Sequence, residues 1–216
     1  EVRKQSDPML MSLIEEKGFV SLGIAQGGFT YLMSKNQIKG FDDLRDQKSW
    51  VPEKSDIGLA VYEYIGVAPI SLPLSDVLTG LQTGMINNII TSPIGALALQ
   101  WYTHVDYVVD LPLNYLTAMM VIDKKVFDKL SEEDQAVLRD VMGRVYREID
   151  RQNLADNIEA RKALMKQGVK FTVLTPEEKQ EWIKAGDHVI DEMVKKYNYD
   201  KDFYETVMSK RAKASK

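Results

Sequence analysis

The sequence predicts an α/β protein, and residues 44–93 carry the pattern that indicates it. Extended pieces alternate with short helices there: a strand ending at 52, a helix at 56–66, a strand at 69–73, a helix at 75–84 and a strand at 86–93. Such alternation is typical of βαβ units on a parallel sheet. Ligands of these sheets lie at the carboxyl ends of the strands. We therefore expect functional residues near positions 50–52, 73–74 and 91–93.

The first part of the chain predicts a helix followed by extended segments. Asp7 and Pro8 favour a helix start, since proline suits the first turn, and Gly18 favours its end. Residues 19–25 predict a strand. Gly27-Gly28 predicts a turn or hinge that breaks it, and residues 29–34 predict a further extended piece.

Helix boundaries in the central stretch follow from capping chemistry. Asp56 can cap the first helix with its carboxylate, and Gly66 favours the end of that helix. Ser75 or Asp76 can cap the second helix, which Gly84 ends.

The second half predicts two strands and then a helix of unusual length. Residues 105–111 and 116–122 predict the strands. Ser131 can cap a helix whose apolar residues recur every three to five positions, and the next stop is Gly168. A helix of that extent measures ~50 Å at about 1.5 Å per residue. A short strand and a helix opened by Pro176 follow.

The composition bounds the classes of function. The chain has 216 residues, a formal net charge of −4 and no cysteine. This charge gives no reason to expect nucleic acid as a partner. The lack of cysteine excludes a disulfide framework and thiolate chemistry. No apolar run reaches the ~20 residues that span a bilayer.

The sequence carries no signature of catalysis or of a cofactor. It has no nucleophile elbow, phosphate-binding loop, dinucleotide fingerprint or zinc-ligand spacing. His104 and His188 lie far apart in the sequence, and a lone histidine is more often a surface residue than a catalyst. The acidic runs at 132–134 and 177–178 suit helix starts electrostatically. We therefore expect no catalytic residues, no metal site and no cofactor.

Several segments, taken in order, resemble one family of transport proteins. The matching residues are 18–23, 38–44, Lys48, Val51, Pro52, Gly66, Leu81, Gly84, Ile86, Asn87 and Pro93. Their order and spacing resemble the solute-binding proteins of TRAP (tripartite ATP-independent periplasmic) transporters, of the DctP type. The resemblance runs over nearly the whole chain, from Val2 to the last helices.

The resemblance implies a periplasmic-binding-protein-like α/β fold with two lobes, hinge crossings and a long spine helix. Family members carry a longer segment ahead of the point that matches Val2, so we expect an incomplete first lobe. The expected division is a first-lobe remnant at 1–27, a second lobe at 28–115, a first-lobe return with the start of the spine helix at 116–150, and the spine helix with the C-terminal helices at 151–216.

The resemblance also implies where a solute binds. In the family, the position of Trp50 holds an arginine whose planar fork binds the ligand's carboxylate, and many members carry a second basic residue at the position of Thr30. Trp50 offers one N–H donor and a large apolar face instead. The alternative for Trp50 is a core or lobe-interface aromatic. Lys48 is the nearest remaining cation in the sequence.

Five further residues are ligand-binding candidates. Tyr31 lies near the expected cleft, and either Thr91 or Ser92 takes the place of a family asparagine that often bonds ligand. Ser92 could equally cap the next helix. Asn114 and Tyr115 occupy the region of another polar pocket residue, with turn chemistry as the alternative.

These implications predict an extracytoplasmic protein that delivers a small solute to a TRAP-type membrane permease by closing two lobes over it. The candidate lining is aromatic or neutral polar, and burying an unpaired carboxylate is costly, so we expect a neutral or hydrophobic solute. The expected location is the periplasm, with the signal peptide and N-terminal segment absent from this chain. We also expect self-association through the incomplete first lobe, because exposed sheet edges and apolar surface favour it.

Two alternatives from other classes remain at this point. One is an interaction or sensory module that keeps the fold but has lost solute capture, which the missing arginine favours. The other, less favoured, is an α/β enzyme, since a fold does not determine a function.

Overall fold

A computed structural model describes the chain from residue 2 to residue 214. Its strands are β1 (Phe19–Ser34), β2 (Trp50–Pro52), β3 (Ile70–Leu72), β4 (Asn88–Thr91), β5 (Tyr107–Val109), β6 (Asn114–Asp123) and β7 (Lys170–Thr172). Its α-helices are α1 (Val2–Glu16), α2 (Phe41–Arg45), α3 (Asp56–Tyr64), α4 (Val77–Gln82), α5 (Pro93–Ala98), α6 (Lys124–Phe127), α7 (Glu132–Lys166), α8 (Pro176–Tyr197) and α9 (Lys201–Ala214). Short 3-10 turns cover Leu74–Asp76 and Trp101–His104. The predicted α/β class is confirmed.

The strands form a mixed sheet and a small parallel one. In the larger sheet the order is β4-β1-β5-β7, and β6 also pairs with β1. Both β4 and β5 run antiparallel to β1, whereas β5 and β7 are parallel. The smaller sheet pairs β2 with β3 in parallel, and Ser49 bridges to Asn88 at the start of β4. The expectation of parallel strands within residues 44–93 therefore holds for β2 and β3, which a helix connects, and the bridge between Ser49 and Asn88 is parallel too. The larger sheet adds an antiparallel pairing of β4 with β1, which lies outside that stretch.

Strand β1 is continuous through the glycine pair that was expected to break it. Gly28 has a φ of +90°, so the backbone changes course there without leaving the sheet. A Cβ at Gly28 would lie 2.7 Å from Nδ2 of Asn157, so the end of that side chain would have to move. Glycine is therefore favoured at this point by its backbone conformation, and it does not end the strand.

Two helices begin at residues other than those expected. Helix α1 starts at Val2, and Pro8 lies inside it. The Arg3 guanidinium holds this first turn by bonding Asp7 at 2.9 Å. The N-cap of α3 is Ser55, whose Oγ accepts a hydrogen bond of 3.2 Å from the N–H of Gly58, while Asp56 is already helical.

The predicted long helix exists as the single element α7, which has 35 residues and no interruption at Gly143. Ser131 precedes it, and its Oγ accepts a 3.1 Å bond from the N–H of Asp134. The apolar stripe of α7 is only partly packed. Leu138 and Met142 pack against a buried core. Other stripe residues are exposed, because nothing among the described residues covers them: Val141, Val145, Ile149, Leu154 and Ile158.

The described chain divides into two compact units. One contains residues 2–27, 117–153 and 195–214, and the other contains residues 28–116 and 154–194. The first unit has a small core of Val20, Leu22 and Phe127. Strand β1, strand β6, helix α7 and helix α8 each pass from one unit to the other.

The core of the second unit has two apolar clusters, which alternate residues of its strands supply. Leu32 and Val51 belong to one cluster, together with Trp182 of α8. Met33 and Trp50 belong to the other, together with Leu164 of α7. Because side chains of a strand alternate between its two faces, neighbouring residues such as Leu32 and Met33 enter different clusters.

Candidate functional site

The candidate residues on β1 and β4 lie side by side in the second unit. Tyr31 is opposite Thr91 in the antiparallel register of the two strands. Tyr31 is half-buried, and Thr91 is buried at the last position of β4. A Cβ at Gly95 would lie 2.7 Å from Oγ1 of Thr91, so the first turn of α5 comes close to this threonine. The structure thus brings together two candidates that are sixty positions apart in sequence.

Thr30 connects the same strand to the start of β6. It is only 2% exposed, and its Oγ1 donates a hydrogen bond of 3.4 Å to the carbonyl of Asn114. Its own carbonyl accepts a 2.9 Å bond from the N–H of Leu113. Asn114 itself is exposed. Thr30 therefore fixes the backbone next to the exposed amide of Asn114, and its short hydroxyl carries no charge.

Tyr115 lies at the outer edge of this group. Its ring meets the ring of Phe29 edge-on, with centroids 4.9 Å apart. Both side chains are exposed. This pair gives an aromatic surface next to Asn114, of a kind that binds apolar parts of ligands by stacking.

Ser92 is the N-cap of α5. Its Oγ accepts a hydrogen bond of 3.2 Å from the N–H of Gly95, and Pro93 occupies the first turn. The side chain is 5% exposed. The helix-cap interpretation of Ser92 is therefore confirmed.

Trp50 lies in the apolar core cluster against which Tyr31 packs. It is 4% exposed, and its Nε1–H donates a hydrogen bond of 3.0 Å to the carbonyl of Leu72. The ring meets Trp101 edge-on at a centroid distance of 5.5 Å. Its only polar atom is thus already bonded, and its face packs against protein. The ligand-binding role of Trp50 stays a prediction.

Lys48, the cation nearest to Trp50 in the sequence, forms a hydrogen bond with another part of the chain. Nζ of Lys48 donates a hydrogen bond of 2.8 Å to the carbonyl of Gly84, at the end of α4. An exposed lysine on a helix terminus of this kind stabilises the last turn. The contact binds Lys48 to α4 rather than to any of the β1 group.

Sequence reasoning missed an ion pair next to Tyr31. Arg161 of α7 binds Asp110 through two bonds, with Nη1 at 2.9 Å from Oδ1 and Nη2 at 2.7 Å from Oδ2. The guanidinium lies 4.1 Å from the centroid of Phe171 and 5.9 Å from that of Tyr31. Asp110 directly follows the buried strand β5, which was the one local indication of its role. Arg161 had none, because it stands among other charged residues of a long helix.

The surroundings of Arg161 favour its charged form. The hydrogen bonds to Asp110 raise the pKa of Arg161 above its ordinary value, against the opposing effect of burial, and the nearby Tyr31 hydroxyl adds to the increase. About a third of each side chain in the pair remains exposed. The pair as a whole is neutral, so the group around Tyr31 carries no net charge from it.

A cluster of buried polar groups lies between β2 and β4. Asn88 is fully buried, and its Nδ2 donates a 3.0 Å bond to Oγ of Ser49. The hydroxyl of Tyr62 donates a 3.5 Å bond to the carbonyl of Trp50. Burial raises the pKa of Tyr62 to about 12. These groups hold β2 against β4 and keep the backbone of Trp50 in place.

The assembled side chains are of kinds that bind small molecules. Hydroxyls, an amide, aromatic rings and a neutral ion pair suit recognition of a small molecule. Within residues 2–214, no group of three or more histidine, cysteine or acidic residues lies close enough to hold a metal ion. No helix in that range is both long and apolar enough to cross a bilayer.

Comparison with protein families decides the relationship. The model of the family described as bacterial extracellular solute-binding protein, family 7 (DctP), matches residues 3–197. The chain belongs to this family. Its members are periplasmic solute receptors of transporters and not enzymes, so the resemblance seen in the sequence is confirmed.

Individual relatives of this DctP-family chain are distant and longer. It is 25% identical over 178 residues to the ectoine/5-hydroxyectoine-binding periplasmic protein UehA of Ruegeria pomeroyi, covering 82% of this chain and 52% of that protein. It is 23% identical over 193 residues to the C4-dicarboxylate-binding periplasmic protein DctP of Rhodobacter capsulatus, covering 89% of this chain and 58% of that protein. The chain therefore spans a little over half the length of these relatives.

A solved structure shows the same fold. A TRAP periplasmic solute-binding protein from Haemophilus influenzae with bound L-gulonate superposes with a TM-score of 0.85 and 21% identity. The match covers 96% of this chain and 68% of that one. The two-lobe solute-binding fold with its long helix is thereby shown for the part of it that this chain spans.

Proposed function

We propose that the protein captures a small neutral or largely hydrophobic solute and delivers it to a TRAP-type permease. The observation that carries the proposal is the environment of Trp50. This residue replaces the family's arginine, and its N–H is bonded to the carbonyl of Leu72, so no guanidinium there can receive a carboxylate. The cation near Tyr31 is Arg161, whose fork is occupied by Asp110.

The solute site we propose uses the group around the end of β1. Tyr31, Thr91, Asn114 and Tyr115 contact the solute through rings, a hydroxyl and an amide. Their support is the register of Tyr31 with Thr91 and the exposure of Asn114 and Tyr115. Three buried candidates shape the wall from behind, namely Thr30, Trp50 and Ser92.

The known ligands of similar proteins support the class of solute only coarsely. The proteins compared above bind ectoine, C4-dicarboxylates or L-gulonate. Each is a small polar organic molecule, but ectoine carries no net charge whereas the others are anions. The choice of a neutral solute for this protein rests on Trp50 and on the Arg161–Asp110 pair, not on these relatives.

The proposed location and mechanism follow the family. The protein acts in the periplasm, where residues 28–115 form the bulk of a second lobe and residues 1–27 and 116–150 belong to a first lobe. Solute capture closes the lobes by bending at the crossing segments, and a permease receives the closed form. No bond is made or broken, so the function is binding and delivery.

Self-association of the 216-residue chain is a further part of this proposal. Apolar side chains of α7 in the first unit are exposed, among them Val137, Val145 and Ile149. Exposed apolar stripes of this kind favour association in water. Light scattering of the purified chain at two concentrations is expected to show a mass above that of the 24.6 kDa monomer. A monomer at both concentrations would refute this part.

Native mass spectrometry tests the central proposal. The full-length protein, purified from cells without refolding, is expected to carry a small molecule whose mass is lost on denaturation. Identification of that molecule as neutral or zwitterionic supports the proposal. A clean apo mass together with a bound protein partner would instead favour the interaction or sensory module, and a retained dicarboxylate would contradict the expected solute class.

A further inference from the structure

Arg161 and Asp110 form an ion pair next to the candidate solute residue Tyr31. The guanidinium is 5.9 Å from the ring centroid of Tyr31, and Tyr31 is the register partner of Thr91. A charge placed here is therefore part of the electrostatic environment of the solute. Whether that charge is free or compensated decides which solutes the site accepts.

The geometry of the pair occupies the end-on fork of the guanidinium, which its two terminal nitrogens form. Both terminal nitrogens bond Asp110 oxygens, at 2.9 Å and 2.7 Å. One face of the group lies over Phe171 at 4.1 Å. A planar fork that is matched to one carboxylate cannot bind a second one in the same bidentate way. A solute carboxylate would also meet the negative charge of Asp110.

The pair is built into the second unit rather than loosely placed on its surface. Asp110 follows β5, and its backbone N–H donates a 2.9 Å bond to the carbonyl of Thr172 at the end of β7. Arg161 is one helical turn from Leu164, which is fully buried in the core. The backbones on both sides are therefore fixed, and the two charged groups meet without a mobile loop between them.

We propose that Asp110 is a specificity-determining residue, which occupies the fork of Arg161 and so excludes anionic solutes from the site. This inference rests on the proposed solute-binding function and adds the reason for its charge preference. Without the Asp110 charge, Arg161 becomes an available cation next to Tyr31, and the site gains affinity for a carboxylate.

Calorimetry with the full-length protein tests this, using two pairs of probes that differ in charge. The pairs are succinate with succinamide, and L-gulonate with glucitol. The Asp110→Asn variant is expected to bind at least one of the two anions about tenfold or more tightly than the unmodified protein does, because a charge-assisted bidentate contact becomes available. The neutral member of the same pair is expected to show no such gain.

Two control variants separate this effect from a general change of charge. Asp106→Asn removes the same charge from an exposed pair with Lys35, at 2.7 Å, and is expected to leave anion affinity as it was. In the double variant Asp110→Asn/Arg161→Gln, the gain is expected to disappear. Asp110→Ser provides a second neutral replacement, with a smaller side chain, if Asp110→Asn does not fold.

Several outcomes would overturn the inference. They are an Asp110→Asn variant that is folded but binds anions as weakly as the unmodified protein, an equal gain in Asp106→Asn, or a gain that survives loss of Arg161. If the unmodified protein instead retains no solute in native mass spectrometry, it is the proposed function that fails. The two failures are therefore distinguishable.

Discussion

The N–H of Gln26 donates a hydrogen bond of 2.6 Å to Oδ1 of Asp150, and this contact joins β1 to α7 within the first unit. The other carboxylate oxygen, Oδ2, accepts a 2.7 Å bond from Nη1 of Arg3. The carbonyl of Asp150 accepts a further 2.6 Å bond from the side chain of Gln26. One residue of the long helix therefore fixes both α1 and the last part of β1 before Gly28.

Replacing Asp150 by alanine is expected to destabilise the protein. The change removes two charge-assisted bonds and leaves a partly buried N–H and guanidinium without that partner, so a loss of about 1.5–3 kcal/mol is expected. Urea unfolding measures it. Asp140→Ala is the matched control, because its pair with Arg144 on the same helix is exposed and worth about 0–1 kcal/mol. Equal losses in the two variants would contradict the role assigned to Asp150.

Substitution of Gly28 by alanine is expected to destabilise β1 for two reasons. The φ of +90° is unfavourable for an L-residue, and the new Cβ would lie 2.7 Å from Nδ2 of Asn157. Combining Gly28→Ala with Asn157→Ala relieves the contact but not the backbone strain. The double variant is therefore expected to lose less stability than the sum of the losses in the two single variants.

Gly143→Ala is the control for this experiment. Gly143 lies inside α7, and the nearest atom to a new Cβ is 3.5 Å away on the Arg147 side chain. Alanine there is expected to raise stability by about 0.5–1 kcal/mol, because it favours the helix. Thermal unfolding of the four variants, namely Gly28→Ala, Asn157→Ala, their double variant and Gly143→Ala, provides the comparison. A stabilising effect of Gly28→Ala would mean that the strand tolerates a side chain at this point.

The buried hydroxyl of Tyr62 predicts a loss of stability at alkaline pH. Its pKa in the folded protein is about 12, against an ordinary value near 10, so the unfolded state releases the proton first. The contribution of the protonated Tyr62 hydroxyl to the free energy of unfolding is intact below about pH 10 and falls as the pH rises toward 12. At about 1.4 kcal/mol per pH unit, the total loss is at most ~3 kcal/mol.

Comparison with Tyr62→Phe isolates this effect. Urea unfolding between pH 8 and 12 is expected to show the unmodified protein losing stability more steeply than the variant above about pH 10. All other titrating groups are shared, so their contributions cancel in the difference. Parallel curves for the two proteins would show that the Tyr62 hydroxyl titrates normally.

Trp50 is expected to contribute to both stability and solute affinity. Trp50→Ala removes a ring that is 4% exposed and packs edge-on against Trp101, so a loss of about 3–5 kcal/mol is expected. Trp50→Phe keeps a ring but leaves the carbonyl of Leu72 without its donor, and a smaller loss is expected. Leu74→Ala, at a residue that is 61% exposed, is the surface control.

The binding measurement on the same variants decides whether Trp50 shapes the solute wall. Trp50→Phe, which retains a folded core, is expected to weaken binding of whichever solute native mass spectrometry identifies. Unchanged affinity in a folded Trp50→Phe variant would show that Trp50 contributes to core packing and not to solute binding.

Local patterns were sufficient to predict much of the fold. Ser131 and Gly168 bracket α7 correctly within two residues, since capping chemistry is local. The strand at Trp50–Pro52 was also expected from its proline and its apolar neighbours. Gly28 misled the prediction, because a glycine with positive φ inside a strand has the same sequence appearance as one that ends it.

The candidate site was less accessible to prediction, because its polar contacts join distant parts of the chain. Arg161 and Asp110 are 51 positions apart, and no local pattern pairs them. Thr30 was selected by its position in a family motif, but its bond to Asn114 depends on the pairing of β1 with β6. For Ser92, a capping pattern was visible in the sequence and is what the structure contains.

Calorimetry of the unmodified full-length protein against succinate tests the central claim most directly. Trp50 has no guanidinium, and the end-on fork of Arg161 is already bound by Asp110. We therefore expect succinate to bind weakly, and a neutral or zwitterionic solute to bind with a dissociation constant in the micromolar range or below. Micromolar binding of succinate by the unmodified protein would contradict it.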